Sequence, residues 1–118
     1  MKHKIEGLLQ LIRKFNNYPV IVEGLKDKKA LSRLGFTKVY TMNRAVYKLT
    51  EDISKHHRTV LILTDLDTPG KKKYGEIKRN LSRLGINVND TLRNYLFRQT
   101  KLRQIEGIDS YIERFLNE

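Results

Sequence analysis

The sequence of 118 residues contains no cysteine, no tryptophan and only two prolines. Without cysteine there can be no disulfide, no thiolate zinc site and no cysteine nucleophile. Its longest apolar runs, such as Val60–Leu63, have four residues, so no transmembrane helix is expected. The length fits a single domain over residues 1–118, with a modest core drawn from the 39% of hydrophobic residues. These features predict a cytoplasmic protein that does not associate with a membrane.

Acidic residues are scarce relative to basic ones, because 13 Asp and Glu stand against 24 Lys and Arg, which gives a net charge of +11. Residues 71–103 alone hold 10 basic and two acidic side chains, whereas residues 104–118 hold one basic and four acidic side chains. A concentrated positive field attracts phosphate-bearing ligands. We therefore predict nucleic acid, either RNA or DNA, as the partner. The alternative is a solvated, lysine-rich surface.

Apolar periodicity predicts helices and strands that alternate along the chain. An N-terminal helix is expected over about 4–15, and a C-terminal helical extension over about 91–117. Strands are predicted at 20–22, 39–41, 60–63 and 86–88. Helices are predicted between them at 26–34, after a cap at Asn43, and after Thr68-Pro69-Gly70. This alternation is typical of parallel sheets, so we expect an α/β, Rossmann-like fold with about four mainly parallel strands flanked by helices.

Three acidic residues follow predicted strands: Glu23 after the first, and Asp65 and Asp67 after the third. Ligands gather at the carboxyl ends of parallel strands, and side chains two residues apart in an extended segment leave on the same side. If the first and third strands are neighbours, the three carboxylates converge. Hard oxygen ligands suit Mg²⁺, with Mn²⁺ as a substitute. Two alternatives stay open, because a D-x-D pair often caps a helix and a strand-end glutamate can pair with a lysine.

The segments around these acids resemble the two signatures of the Toprim domain, which topoisomerases, bacterial-type primases, recombination-repair proteins and several nucleases share. They are Val20–Asp27 and Leu61–Gly70, and the resemblance covers roughly residues 18–90. The D-x-D-x-P-G form followed by basic residues is most similar to small Toprim proteins related to the 5S ribosomal RNA maturation nuclease. Topoisomerases carry a third aspartate where this sequence has Pro69, which disfavours topoisomerase chemistry.

The Toprim resemblance implies a role for each matching residue. Glu23 would be the general acid or base and would also lie at the metal. Asp65 and Asp67 would be the Mg²⁺ ligands, and Gly24 and Gly70 would be the turn glycines, which let a phosphate approach closely.

Five basic residues on the helix after the second signature are candidate nucleic-acid contacts. Lys71, Lys72 and Lys73 open the predicted helix, where cations oppose the macrodipole, so a purely structural role is disfavoured. Arg79 and Arg83 share one helix face at a spacing of four, which suits contact with a phosphate backbone. For these two arginines a solvated face is the alternative.

These residues suggest three candidate functions. The first is a metal-dependent phosphodiesterase or phosphoryl-transfer enzyme on RNA or DNA, in which Glu23 moves protons. The second is a non-catalytic, metal-assisted nucleic-acid-binding module of a larger complex, with protein partners that supply substrate specificity. The third, a phospho-acceptor receiver domain, needs paired acids after the first strand and a lysine after the last. The sequence has Glu23-Gly24 and Asn89-Asp90 there, which disfavours the third function. Retention of all three carboxylates favours the first function over the second.

Overall fold

Helices and strands alternate along the chain as far as the fourth strand, and two more helices follow it. The structure, a computed structural model, describes residues 2–117, so the predicted domain limits at residues 1 and 118 lie outside the described residues. The helices are α1 (Lys2–Phe15), α2 (Leu25–Arg33), α3 (Val46–Ser54), α4 (Thr68–Arg83), α5 (Thr91–Gln99) and α6 (Ile108–Leu116). The strands are β1 (Val20–Val22), β2 (Val39–Thr41), β3 (Thr59–Ile62) and β4 (Asn87–Val88). A 3₁₀ helix, Ile105–Gly107, lies just before α6.

The four strands form one parallel sheet in the order β2-β1-β3-β4. In β1, Ile21 is paired with Tyr40 of β2 on one side and with Ile62 of β3 on the other. The two-residue β4 pairs only with the first two residues of β3. The predicted α/β fold with a four-stranded parallel sheet is therefore confirmed, and the first and third strands are neighbours.

The sheet is buried on both faces, which explains why its central strands are apolar without interruption. Val20, Val22 and Leu61 belong to a core cluster shared with α1, α2, α5 and α6. Ile21 and Ile62 belong to a second cluster shared with α3 and α4. Successive residues of each strand thus face opposite cores, as the two-residue period of a strand requires. Within residues 2–117, no helix is long and apolar enough to cross a membrane.

Helix α3 begins differently from the prediction. The amides of Lys48 and Leu49 both donate to the carbonyl of Ala45, which makes Ala45 the N-cap residue. Asn43 lies exposed two residues earlier, so its predicted role as the cap is wrong. Asn43 and Arg44 belong to the loop that leads from β2 to the helix, and no side chain caps the start of α3.

Candidate functional site

Glu23 and Asp65 meet at the carboxyl edge of the sheet, because β1 and β3 lie side by side. The Asp65 backbone N–H donates to Glu23 Oε2 at 2.8 Å. The other carboxylate oxygen of Glu23 accepts a hydrogen bond from Lys73 Nζ at 2.6 Å. The structure thus brings together residues that lie 42 positions apart in the chain. The structure also shows one of the alternatives considered for the sequence, namely a strand-end glutamate that pairs with a lysine.

Asp67 is the N-cap of α4. Its Oδ1 accepts a hydrogen bond from the Gly70 N–H at 2.8 Å, and its backbone is extended with φ −91° and ψ 178°. The cap starts the helix at Thr68, so the predicted turn before the helix instead forms its first turn. Leu66 is buried, and Asp65 and Asp67 on either side of it are half-buried. The helix-cap alternative for this D-x-D pair is therefore also observed, but only for its second residue, Asp67.

Gly70 is required by close packing. A Cβ atom on this residue would overlap the backbone carbonyl of Asp65. Thr64 Oγ1 donates to the Gly70 carbonyl at 2.7 Å and holds the first turn of α4 against the loop after β3. Gly70 thus lies in the first turn of α4, at a close contact between helix and loop. Gly24 is the extended N-cap of α2, and its N–H donates to Asp27 Oδ2 at 3.0 Å.

Asp27 is an acidic residue of the site that sequence reasoning did not single out. Its side chain is buried at 8% exposure. Burial raises its pKa, the hydrogen bond from Gly24 opposes that rise, and repulsion from Glu23 and Glu106 adds to it. A signal was present in the sequence, since an acid in the first turn of a helix, four residues after a strand-end glutamate, lies close to that glutamate.

Asp65 is the acid most crowded by other charges. Burial raises its pKa above the ordinary value, and the charges of Glu23, Asp27 and Asp67 raise it further. One bond opposes these effects, because the Ile105 N–H donates to Asp65 Oδ1 at 2.9 Å. The 3₁₀ helix of the C-terminal extension therefore forms one wall of the site.

A buried arginine lies behind these carboxylates. Arg93 is 7% exposed, and its Nη1 donates to the carbonyls of Thr64 at 2.7 Å and Ile62 at 3.3 Å. Its Nη2 donates to the carbonyl of Asp65 at 3.1 Å. These carbonyls lie beyond the part of β3 that pairs with β4, and Arg93 takes the place of a strand partner. One of the ten basic residues of 71–103 is therefore structural and does not contribute to a surface field.

The three consecutive lysines at 71–73 have three different surroundings. Lys73 is paired with Glu23, as described above. Lys71 lies against an aromatic ring, with its Nζ 4.4 Å from the ring centroid of Phe97. Lys72 is exposed. Because the helix begins at Thr68, these lysines start one turn inside it, where the macrodipole opposes them less.

Arg79 and Arg83 lie on the exposed side of α4, as their spacing predicted. Arg79 is nine residues beyond Gly70, about 13 Å along a helix axis. Arg83 is in the last turn of α4, where a cation suits the helix dipole. The structure therefore separates these two arginines from the carboxylates.

Two adjoining depressions surround the carboxylates. The acidic pocket, of about 360 Å³, is lined among others by Glu23, Asp27, Asp65, Lys73, Gln104 and Glu106. The basic groove, of about 550 Å³, is lined among others by Asp67, Lys101, Arg103, Gln104, Tyr111 and Arg114. Gln104 and Glu106 line both depressions, which are therefore neighbours on the surface. The C-terminal extension supplies most of the groove, and no local sequence pattern predicted it.

The donor set at this edge fits a hard cation. Among residues 2–117, no three acidic or histidine side chains lie close enough to hold a metal ion by themselves. Mg²⁺ in proteins keeps several waters and takes one or two carboxylates with a phosphate oxygen. In Asp65 and Asp67, Oδ1 accepts a backbone amide, and Oδ2 is not used in that bond. Two half-buried carboxylates, each with one oxygen outside its amide hydrogen bond, match the number and type of protein ligands that such a Mg²⁺ site takes.

The fold and the site define a class of small α/β proteins that carry carboxylates at the carboxyl edge of a parallel sheet. The chain is 30% identical to the UPF0292 protein of Thermoplasma volcanium over 105 residues, 86% of this chain and 88% of that protein. It is also 30% identical to the UPF0292 protein of Methanocaldococcus jannaschii over 120 residues, 94% of each. The chain belongs to the UPF0292 family.

A solved structure is also similar to this fold. It is a protein from Aquifex aeolicus that superposes with a TM-score of 0.74 at 28% sequence identity, over 90% of this chain and 95% of that chain. No protein-family model matches the chain. The similarity thus extends over nearly the whole length of both chains.

Proposed function

We propose that the protein is a Toprim-type, Mg²⁺-dependent enzyme that cleaves or transfers phosphodiester groups of RNA or DNA. The observation that carries this proposal is the contact between Glu23 and the Asp65 backbone, with Asp67 two residues further along the same loop. The resemblance of both acidic segments to Toprim signatures supports it, and so does the net charge of +11. Within that superfamily, the sequence is most similar to the 5S ribosomal RNA maturation nuclease group.

Asp65 and Asp67 are the residues that would hold Mg²⁺ or Mn²⁺, with Glu23 beside them. When bound, the ion supplies Lewis acidity at the scissile phosphate. The Ile105 N–H orients the Asp65 carboxylate, and the Gly70 N–H orients that of Asp67. Both carboxylates are therefore fixed in direction before any ligand arrives, which is the preorganisation that a catalytic site requires.

Glu23 is the group placed to move a proton. Its Oε2 is fixed by the Asp65 amide, whereas its Oε1 is held only by the flexible side chain of Lys73. A substrate phosphate entering the acidic pocket competes for the Lys73 ammonium. Oε1 is then free to accept a proton from an attacking water, while Lys73 neutralises the phosphate.

The second candidate is a non-catalytic module that binds nucleic acid in a larger complex, with protein partners supplying specificity. One observation favours it: Asp67 and Glu23 both have structural partners, a helix amide and a lysine. In that case the same carboxylates would only orient a bound phosphate through the cation. Catalysis by Glu23 separates the two candidates.

The test is a cleavage assay on the purified full chain with Mg²⁺ and with Mn²⁺, using single- and double-stranded RNA and DNA. Glu23→Gln keeps the size and the bond to the Asp65 amide but removes the basic oxygen. Cleavage should fall by roughly 10²–10⁴, the usual contribution of a positioned acid or base, while binding stays within a few-fold. Glu51→Gln, at an exposed position of α3, is the matched control and should leave cleavage unchanged.

The assay also defines what contradicts the enzyme. If no substrate is cleaved faster by the wild-type protein than by Glu23→Gln, the protein is not the proposed enzyme. The binding module would then be the function that the site supports.

A further inference from the structure

Phe97 is an exposed aromatic residue between two cations. It lies near the end of α5, and 40% of its surface is accessible to solvent. Lys71 Nζ is 4.4 Å from its ring centroid, and the Arg103 guanidinium carbon is 5.1 Å from it. Three separate segments of the chain thus bring their side chains together at this point on the surface. Neither the core nor the proposed chemistry uses this ring.

The position of this ring is fixed relative to the carboxylates. Lys71 is one helical turn beyond the N-cap residue Asp67, and its N–H donates to the Asp67 carbonyl at 2.9 Å. The backbone carbonyl of Arg103 accepts a hydrogen bond of 2.7 Å from the Leu66 N–H. Both cations around Phe97 are therefore attached to residues at, or next to, the metal-ligand candidate Asp67.

The basic groove continues from this point. Lys101, Arg103 and Arg114 line it beside Tyr111, and Asp67 lines it as well. The Arg103 guanidinium is held by a 2.7 Å hydrogen bond to the carbonyl of Leu102, so one cation is preoriented where the groove meets the ring. A row of cations leading to a carboxylate pair is complementary to a phosphate backbone that passes the site.

The ring determines the kind of nucleic acid that fits. In a duplex, the bases are stacked on one another and cannot lie on a protein aromatic side chain. Unpaired bases stack readily on exposed aromatic rings, and cations beside the ring contact the adjoining phosphates. An exposed phenylalanine flanked by two cations matches the second case.

We propose that Phe97, Lys71 and Arg103 form a stacking platform for single-stranded nucleic acid and lead the strand along the basic groove to Asp67. An unpaired base covers the ring, and the two cations move onto the neighbouring phosphates. The platform names the substrate class of the proposed enzyme and rests on that function only for what happens at the carboxylates. Binding to the platform itself requires neither a metal nor cleavage.

The test is fluorescence anisotropy in EDTA, with labelled 12-nucleotide single strands of RNA and DNA and a hairpin duplex of the same sequence. Phe97→Leu keeps the apolar volume but removes the aromatic face. It should weaken single-strand binding about 5- to 150-fold, the range measured for base–aromatic stacking, and change duplex binding less than about twofold. Phe97→Tyr should restore single-strand binding. Tyr47→Leu, at a 60% exposed aromatic residue on α3, should bind as wild type.

Either of two results overturns the platform: Phe97→Leu binding single strands as tightly as wild type, or losing single-strand and duplex affinity equally. Comparing the RNA and DNA strands identifies which of the two sources supplies the unpaired base. Failure here is distinguishable from failure of the enzyme proposal. Binding that depends on Phe97, in a protein that cleaves nothing, supports the platform and contradicts the enzyme.

Discussion

The turns after β1 and β3 each begin a helix with one glycine and one aspartate three residues apart, and the order of the two residue types is reversed. In α2 the glycine is the N-cap: the Gly24 N–H donates to Asp27, three residues later. In α4 the acid is the N-cap: Asp67 accepts a hydrogen bond from the N–H of Gly70, three residues later. Each turn thus uses one carboxylate and one glycine amide to satisfy a free group at a helix start.

The two turns differ in how closely the glycine is packed and in whether the acid is buried. A Cβ atom added to Gly24 would lie 4.0 Å from Asp27 Oδ2. A Cβ atom added to Gly70 would overlap the Asp65 backbone. Asp27 is buried, whereas Asp67 faces the basic groove. The β3 turn is therefore the tightly built one, and its capping acid lines the basic groove.

Exchanging each glycine for alanine tests this comparison with the largest expected effect. Gly70→Ala places a Cβ against backbone that cannot move aside, and should cost about 3 kcal/mol of stability in urea unfolding. Gly24→Ala should lower the free energy of unfolding by only about 1 kcal/mol or less, because the position has room for a Cβ and only the weaker N-cap preference of alanine is felt. Equal losses in the two variants would show that the two turns are packed alike.

Replacing Asp67 separates its cap from its charge. Asp67→Ala leaves the Gly70 amide without its partner and should lose about 1 kcal/mol in urea unfolding. Asp67→Asn caps a helix as well as aspartate does and should keep most of that stability. Both variants should bind Mg²⁺ more weakly. An alanine variant as stable as the asparagine variant would mean that the cap contributes nothing.

Asp27 offers the smallest effect and one that depends on pH. Its pKa is raised from 3.8, so its ionised form costs stability in the folded protein at neutral pH. Asp27→Asn should therefore raise Tm at pH 7 by up to about 4 °C. That gain should shrink as the pH falls through the raised pKa and be absent below about 3.8, where the aspartate is protonated in both states. A gain that persists at pH 3 would assign the effect to packing.

Much of the fold and part of the site followed from local sequence patterns. The apolar strands at 20–22 and 39–41 were predicted with the observed bounds, because β-branched runs between helices have few other solutions. The meeting of Glu23 with Asp65 followed from the rule that parallel strands end at one edge. The roles of Glu23 and Asp67 as proton-transfer group and metal ligand remain predictions.

Long-range contacts account for what the sequence did not reveal. No local sequence pattern predicts that the Arg93 side chain replaces a strand partner beside β3, since this role depends on how short β4 is. The bond from Ile105 to Asp65 spans 40 residues and follows from the docking of the C-terminal extension. For the same reason the platform at Phe97, built from three separate segments, is visible only in the folded chain.

Thermal unfolding with and without Mg²⁺ tests the central claim most directly, namely that Asp65 and its neighbours form a cation site. A ligand that binds only the folded protein raises its stability by about 2.7 kcal/mol at 100 times Kd, so the wild-type Tm should rise with Mg²⁺ concentration. Asp65→Asn keeps an acceptor for the Ile105 amide and removes one of the crowded charges. It should unfold at an equal or higher temperature without metal and show no Mg²⁺-dependent rise. A rise in Asp65→Asn as large as in the wild type would contradict the site.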